Sequence, residues 1–254
     1  MTRELPSPTP SSQQALIKAL AEKVRQCETG RRGAPAVAVS TGYEVLDRAL
    51  RGGLHRGTLV EWLVRDEGSG TTRLALAAAK QAYDETGMLV VVDRRRTFYP
   101  LAAAACGIDL SRLVLVRPEN DRDETWVIDQ ALRAGGASAV LAWPEKLDDH
   151  LFRRLQLAAE AGGTLGLLVR PARAVAEPSW AEVRWLVEPL ASLRSRAGDA
   201  SRRVRLSLLR CSGGAAIHCP QFVLGLDDQT GDRISFRRSR LLSARNTEGH
   251  KKTA

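Results

Sequence analysis

Residues 65–72, Arg-Asp-Glu-Gly-Ser-Gly-Thr-Thr, are the stretch whose types and spacing could do chemistry. They lie between an apolar run, Thr58 to Val64, and an alanine-rich run, Leu74 to Ala79. The first run predicts a buried strand, and the second a helix that starts near Thr71 and ends near residue 85. A glycine-rich turn from a strand into a helix aims backbone N–H groups and the positive end of the helix at anionic oxygens. The layout is that of a phosphate-binding loop.

The full motif, G-x-x-x-x-G-K-[ST], adds a lysine for the β/γ-phosphates and a hydroxyl for Mg²⁺. With Gly70 as its second glycine, Arg65 stands at the first glycine, Thr71 at the lysine and Thr72 at the metal-binding hydroxyl. An ion pair at about 4 Å near a protein surface is worth roughly 4 kcal/mol at an effective dielectric of about 20. Retaining ~2.7 kcal/mol of that after desolvation would mean ~100-fold in affinity, which a neutral threonine does not supply. Gly68, Ser69, Gly70, Thr71 and Thr72 therefore read as a vestigial phosphate-binding loop. The other meaning of the two glycines is a tight, well-packed turn.

The segment before the turn, Ser40-Thr41-Gly42…Leu46-Asp47…Ala49-Leu50…Gly52-Gly53-Leu54…Arg56-Gly57…Val60-Glu61, resembles the lead-in to the P-loop of RecA recombinases. Glu67-Gly68-Ser69-Gly70-Thr71-Thr72 then resembles their P-loop without its lysine. Within that superfamily the chain is most similar to the ImuA branch, small RecA-like proteins of bacterial mutagenic translesion synthesis. The similarity runs from about residue 36 to about 230. It implies an α/β fold: a RecA-like P-loop NTPase core, a mostly parallel sheet flanked by helices, with a degenerate nucleotide site.

Two further positions bear on that site. Met88 to Asp93 reads as a fully buried parallel strand. In RecA the glutamate that orients the attacking water follows this strand, two residues after an aspartate matching Asp93. Here that position is Arg95, within Arg94-Arg95-Arg96, and a cation cannot serve as base or as water-positioning acceptor. A Walker B strand is an apolar run ending in an aspartate that holds Mg²⁺. Ala139-Val140-Leu141-Ala142 ends instead in Trp143-Pro144, with Glu145 two residues further on.

The remaining elements follow from periodicity and breakers. Helices are expected over Leu101–Asp109, Glu124–Ala134 and Leu147–Ala161, with Trp126, Ile128, Ala131 and Leu132 as core contacts of the second. Strands are expected over Leu113–Val116, Thr164–Val169, Trp185–Leu190, Arg203–Arg210 and Gln221–Leu226. The alternation of Val204, Leu206 and Leu208 with Arg203, Arg205 and Ser207 marks a sheet with one wet face. Ser192 to Asp199 reads as a polar link. RecA carries long DNA-binding loops after the strands that match Ala139–Ala142 and Thr164–Val169. Here they shrink to Trp143–Lys146 and about Arg170–Ser179, which argues against strand exchange.

At 254 residues and 44% hydrophobic, the chain can bury one sizeable core. Residues 1–35 read as a polar, disordered start plus an amphipathic helix carrying Leu16, Leu20 and Val24. Residues 36–235 form the RecA-like domain, and 236–254 a basic tail without periodicity. The resemblance makes the first helix a docking element for a neighbouring subunit; folding back on its own core is the other reading. No apolar run approaches the ~18–20 residues of a membrane span, and the polar start lacks a signal-peptide core, so a cytoplasmic protein is expected. Cys27, Cys106, Cys211 and Cys219 form no C-x-x-C pair; Cys211, His218 and Cys219 read as a strand-end thiol and loop residues rather than metal ligands. The net charge of +9 sits at the ends, +3 in residues 1–32 and +5 in 237–254. Arg237, Arg238, Arg240, Lys251 and Lys252 are the candidate contacts to DNA or an acidic partner, against the reading of a solubilising tail.

Taken together, the changes at Thr71, Arg95 and Trp143 imply a retained fold without the chemistry: no enzyme, no cofactor, no metal. The ImuA resemblance implies an accessory protein of error-prone translesion synthesis under the SOS response. Its partners would be an ImuB-like inactive Y-family polymerase homologue, an error-prone C-family polymerase and, non-specifically, DNA. Two other classes stay open. One is a P-loop ATPase with an unorthodox site, using ATP and Mg²⁺ with Arg65, Arg73 or a neighbouring subunit replacing the lysine's charge. The other is a SulA-like RecA-fold regulator of cell division.

Overall fold

A computed structural model describes residues 38–65, 68–83, 87–194, 200–211 and 220–226, without side-chain detail for 192–194 and 200–201. The helix expected before residue 28 and the basic tail lie outside the described residues.

The elements run β1 (Ala38–Val39), α1 (Glu44–Ala49), β2 (Leu54–His55), β3 (Leu59–Val64), α2 (Thr71–Ala82), β4 (Met88–Val92), α3 (Pro100–Ala105), β5 (Leu113–Val116), α4 (Asp121–Arg133), β6 (Ala137–Ala142), α5 (Asp149–Gly162), β7 (Leu165–Pro171), β8 (Val183–Arg194), β9 (Ala200–Cys211) and β10 (Gln221–Leu226). Eight strands form one sheet in the order β10-β9-β8-β3-β7-β6-β4-β5. From β5 to β8 every neighbouring pair is parallel; β9 and β10 extend the sheet antiparallel. Parallel neighbours need crossovers, and α2, α4 and α5 supply them, leaving a sheet buried on both faces. This is the expected mostly parallel α/β sheet flanked by helices, with an antiparallel extension.

Successive β3 residues feed opposite faces. Val60 and Trp62 join the apolar cluster that packs α1, α2 and α3, while Leu59 joins the one that packs α4 and α5. Trp62 lies opposite Trp185 of β8, both fully buried, with ring centroids 6.2 Å apart; Phe222 of β10 meets Trp185 edge-on at 6.0 Å. The lead-in loop is tied by Asp47, which accepts from Thr41 N and Thr41 Oγ1 at 2.7 Å and from Ser40 Oγ at 2.6 Å. That gives the spaced Ser-Thr and Asp of the sequence pattern a structural role.

Two expectations need correction. Trp126 is 60% exposed rather than a core contact. Helix α4 buries Glu124, Ile128 and Leu132, and at 100° per residue Trp126 points to the opposite side. The link expected over Ser192–Asp199 is shorter, because β8 continues to Arg194 and β9 begins at Ala200. Pro189 is tolerated within β8 because the pairing with β3 ends at Val187, so the missing N–H is not required on that side.

Candidate phosphate-binding turn and the strand ends around it

Strand β3, the turn and helix α2 have the layout read from sequence. Gly68 and Gly70 both adopt left-handed backbone, with φ of +76° and +79°. Gly70 is the N-cap of α2, without a side-chain cap, and the first turn of the helix carries no acidic residue, so no carboxylate of that turn offsets the positive end of the helix. Glycine suits the φ of the turn, and a Cβ on Gly70 would stand 2.3 Å from Leu226 Cδ1, so a side chain here would also displace that of Leu226.

The polar side chains of the turn face one another. Thr71, at the lysine position, is 3% exposed, and its Oγ1 lies 2.6 Å from Ser69 Oγ. Thr72 is half-buried. Arg65, at the first-glycine position, turns to Glu188 of β8, with Nε at 3.1 Å.

At the end of β4, Asp93 is buried and accepts from Thr97 N at 3.1 Å and Phe98 N at 2.9 Å, which folds the arginine-rich loop back on the strand. Arg94 reaches Asp121 at 2.8 Å and Glu124 at 3.1 Å, both in the first turn of α4. Arg95 forms an ion pair with Glu145, and Arg173 reaches the other oxygen of the same carboxylate at 3.2 Å. Hydrogen bonding and charge from Arg95 hold the Glu145 carboxyl below the usual glutamate range. Burial pushes Glu124 upward, against the pull of Arg94. Trp143, where the Walker B aspartate would stand, packs on Phe98 with centroids 6.0 Å apart. The structure thus brings the ends of β4 and β6 together as expected and fills them with an arginine–glutamate cluster and an aromatic pair.

A second charged cluster was missed in the sequence. Glu61, in the middle of β3, is fully buried. Its Oε1 accepts from Arg170 Nη1 at 2.7 Å and its Oε2 from Ser179 Oγ at 2.6 Å. Arg184 Nε stands 2.6 Å from Oε2, close enough for charge attraction but not aligned as a hydrogen bond. Arg170 also pairs with Glu177. The signal was there to read: one glutamate within Leu-Val-Glu-Trp-Leu-Val and one arginine closing Leu-Gly-Leu-Leu-Val-Arg.

Arg237, Arg238, Arg240, Lys251 and Lys252 lie outside the described residues. Among the described residues, neither Cys106 nor Cys211 is in a disulfide. No helix among the described residues is long and apolar enough to cross a membrane.

Residues 26–142 match the RecA N-terminal domain family. Among curated proteins, the chain is 34% identical to protein RecA of Chlorobium chlorochromatii over 113 residues, which are 44% of this chain and 32% of that protein. It is 33% identical to protein RecA of Crocosphaera subtropica over 135 residues, 52% of this chain and 37% of that one. With protein RecA of Streptomyces venezuelae it shares 34% over 137 residues, 51% and 36%. The chain thus spans about a third of the length of the curated relatives it matches. The matched stretch contains β3, the turn, α2, β4 and β6, the elements that frame the site, and over this stretch the chain is similar to the RecA N-terminal domain.

Proposed function

We propose that the chain is a non-catalytic RecA-like accessory protein of error-prone translesion DNA synthesis. It would act with an ImuB-like protein and an error-prone C-family polymerase at damaged DNA. One observation carries the non-catalytic half: each of the three positions that nucleotide hydrolysis needs holds a side chain engaged elsewhere. Thr71 is buried against Ser69, Arg95 is paired with Glu145, and Trp143 is packed on Phe98. The glutamate nearest the Walker B position, Glu145, has its two oxygens taken by Arg95 and Arg173. Arg65, a candidate to replace the lysine's charge, is drawn to Glu188. The accessory role rests on the ImuA-like sequence pattern and on the relationship to RecA.

In this reading the protein works by protein–protein contact, and its basic ends hold DNA through phosphates in a salt-dependent, sequence-independent way. Calorimetry with ATP and Mg²⁺, alongside phosphate release with and without single-stranded DNA, tests the first half. Absence of binding at millimolar nucleotide and of turnover is expected. Mg²⁺-dependent binding that fails in Thr72→Ala or Arg73→Ala would move the protein to the unorthodox-ATPase class. Affinity capture from DNA-damaged cells with identification by mass spectrometry tests the second half. Recovery of a Y-family homologue with a C-family polymerase is expected, and recovery of the division tubulin homologue instead would favour the SulA-like class.

A further inference from the structure

A cleft of about 320 Å³ opens on the flank of α2, lined by Arg73, Ala77 and Lys80 of that helix together with Tyr43, Cys106 and Leu226. None of the turn residues Gly68 to Thr72 lines it. Leu226, which presses on Gly70 with one side and lines the cleft as well, stands between the two.

The cleft has a built electrostatic character. Arg73, Ala77 and Lys80 are spaced i, i+4 and i+7, so two cations flank a small apolar floor on one helix face, with about 10 Å of helix between them. Lys80 lies across Gly107, where a Cβ would stand 2.6 Å from its Nζ. Gly107, at φ +80°, leaves room for the ammonium beside it, and both residues line the cleft. Both cations act on one sulfur: burial pushes the Cys106 thiol up, and the charges of Arg73 and Lys80 pull it back. A volume near the lower end of the range for small-molecule sites suits a compact ligand.

We propose that this cleft binds a small organic anion, a carboxylate or a phosphate monoester on a compact apolar body, with Arg73 and Lys80 holding the charge and Ala77 and Leu226 the apolar part. The site is separate from the turn and independent of the accessory role. Its occupancy is read at Cys106, because an anion in the cleft both covers the thiol and offsets the two charges that favour its thiolate.

The full chain is alkylated with iodoacetamide, and the rate at Cys106 is followed by peptide mass spectrometry in the presence of phenyl phosphate, benzoate or neutral benzamide, with Cys211 as internal reference. One of the two anions slows labelling saturably, by roughly tenfold at ten times its dissociation constant, and benzamide does not. Protection by phenyl phosphate alone assigns a phosphate monoester, and by benzoate alone a carboxylate. Lys80→Gln and Arg73→Gln each weaken the protection, and Thr72→Ala leaves it intact. Equal effects of anions and benzamide, or protection that survives both charge substitutions, would overturn the proposal. So would protection lost in Thr72→Ala, because the anion would then sit on the turn.

Discussion

The clusters around Glu61 and around Glu145 use the same two residue types in opposite surroundings. In the first, Glu61 and Arg170 are wholly shielded from water, and the ligand groups come from β3, β7, β8 and the segment after β7. In the second, the side chains of Glu145, Arg95 and Arg173 are 37%, 40% and 59% exposed. Removing one partner of a buried pair leaves a charge that water cannot reach; removing one partner of an exposed pair leaves a charge that water and salt take up. The buried cluster therefore fixes how the strands and the returning segment meet, whereas the open one sets the charge at the strand ends with little hold on the fold.

The largest expected effect separates the two directly. Glu61→Gln removes the carboxylate that Arg184 faces and leaves buried Arg170 with Glu177 alone, and should cost about 3–5 kcal/mol, read from the urea midpoint. A loss below about 1 kcal/mol would mean that water enters the cluster, and the contrast would fail. Ser179→Ala removes one hydrogen bond to the same buried carboxylate and should cost about 1.5–3 kcal/mol. Asp93→Ala, which frees two backbone donors at the edge of the open cluster, should fall in the same range or below it, about 1–3 kcal/mol. Glu145→Gln should cost less than about 1 kcal/mol, and its effect should shrink as salt is raised while that of Glu61→Gln does not.

The smallest effect is in acid. Glu145 ordinarily titrates near 4.5, and its folded carboxyl lies lower, so its contribution is fully present above that value and is lost as pH falls through the folded one. Burial raises Glu124 instead, so its folded form prefers the proton and stability rises as pH drops through the window between the raised value and 4.5. The two oppose each other. Glu145→Gln should flatten the acid side of the stability profile and Glu124→Gln should remove the opposing gain, both visible in urea midpoints measured between neutral pH and pH 3.

The sheet was legible wherever an apolar run was bounded by glycine or aspartate, as in β4 and β6, because a parallel strand covered on both faces writes itself as a near-continuous hydrophobic stretch. The turn was legible too, since positive φ at Gly68 and Gly70 favours glycine, and at Gly70 the neighbouring Leu226 side chain adds to that preference. Trp126 was misread because the helical phase set by Glu124, Ile128 and Leu132 points it outward. The partners of Glu61 lie 109 and 118 residues away in Arg170 and Ser179, and no local pattern reports a contact made only once the parallel strands are aligned. In the candidate site, the missing lysine, glutamate and aspartate were visible as residue types. The replacement contacts, Thr71 on Ser69 and Arg95 on Glu145, depended on rotamers and strand-end geometry.

The contact of Leu226 with Gly70 has a consequence in time. During synthesis the turn and α2 emerge well before β10, and at about 5–20 residues per second the interval is on the order of ten seconds. Throughout it the turn lacks the side chain that closes its flank in the finished fold. A nascent chain paused before Leu226 would therefore display an open glycine turn and an unlidded helix end, a transient surface that the completed protein no longer offers.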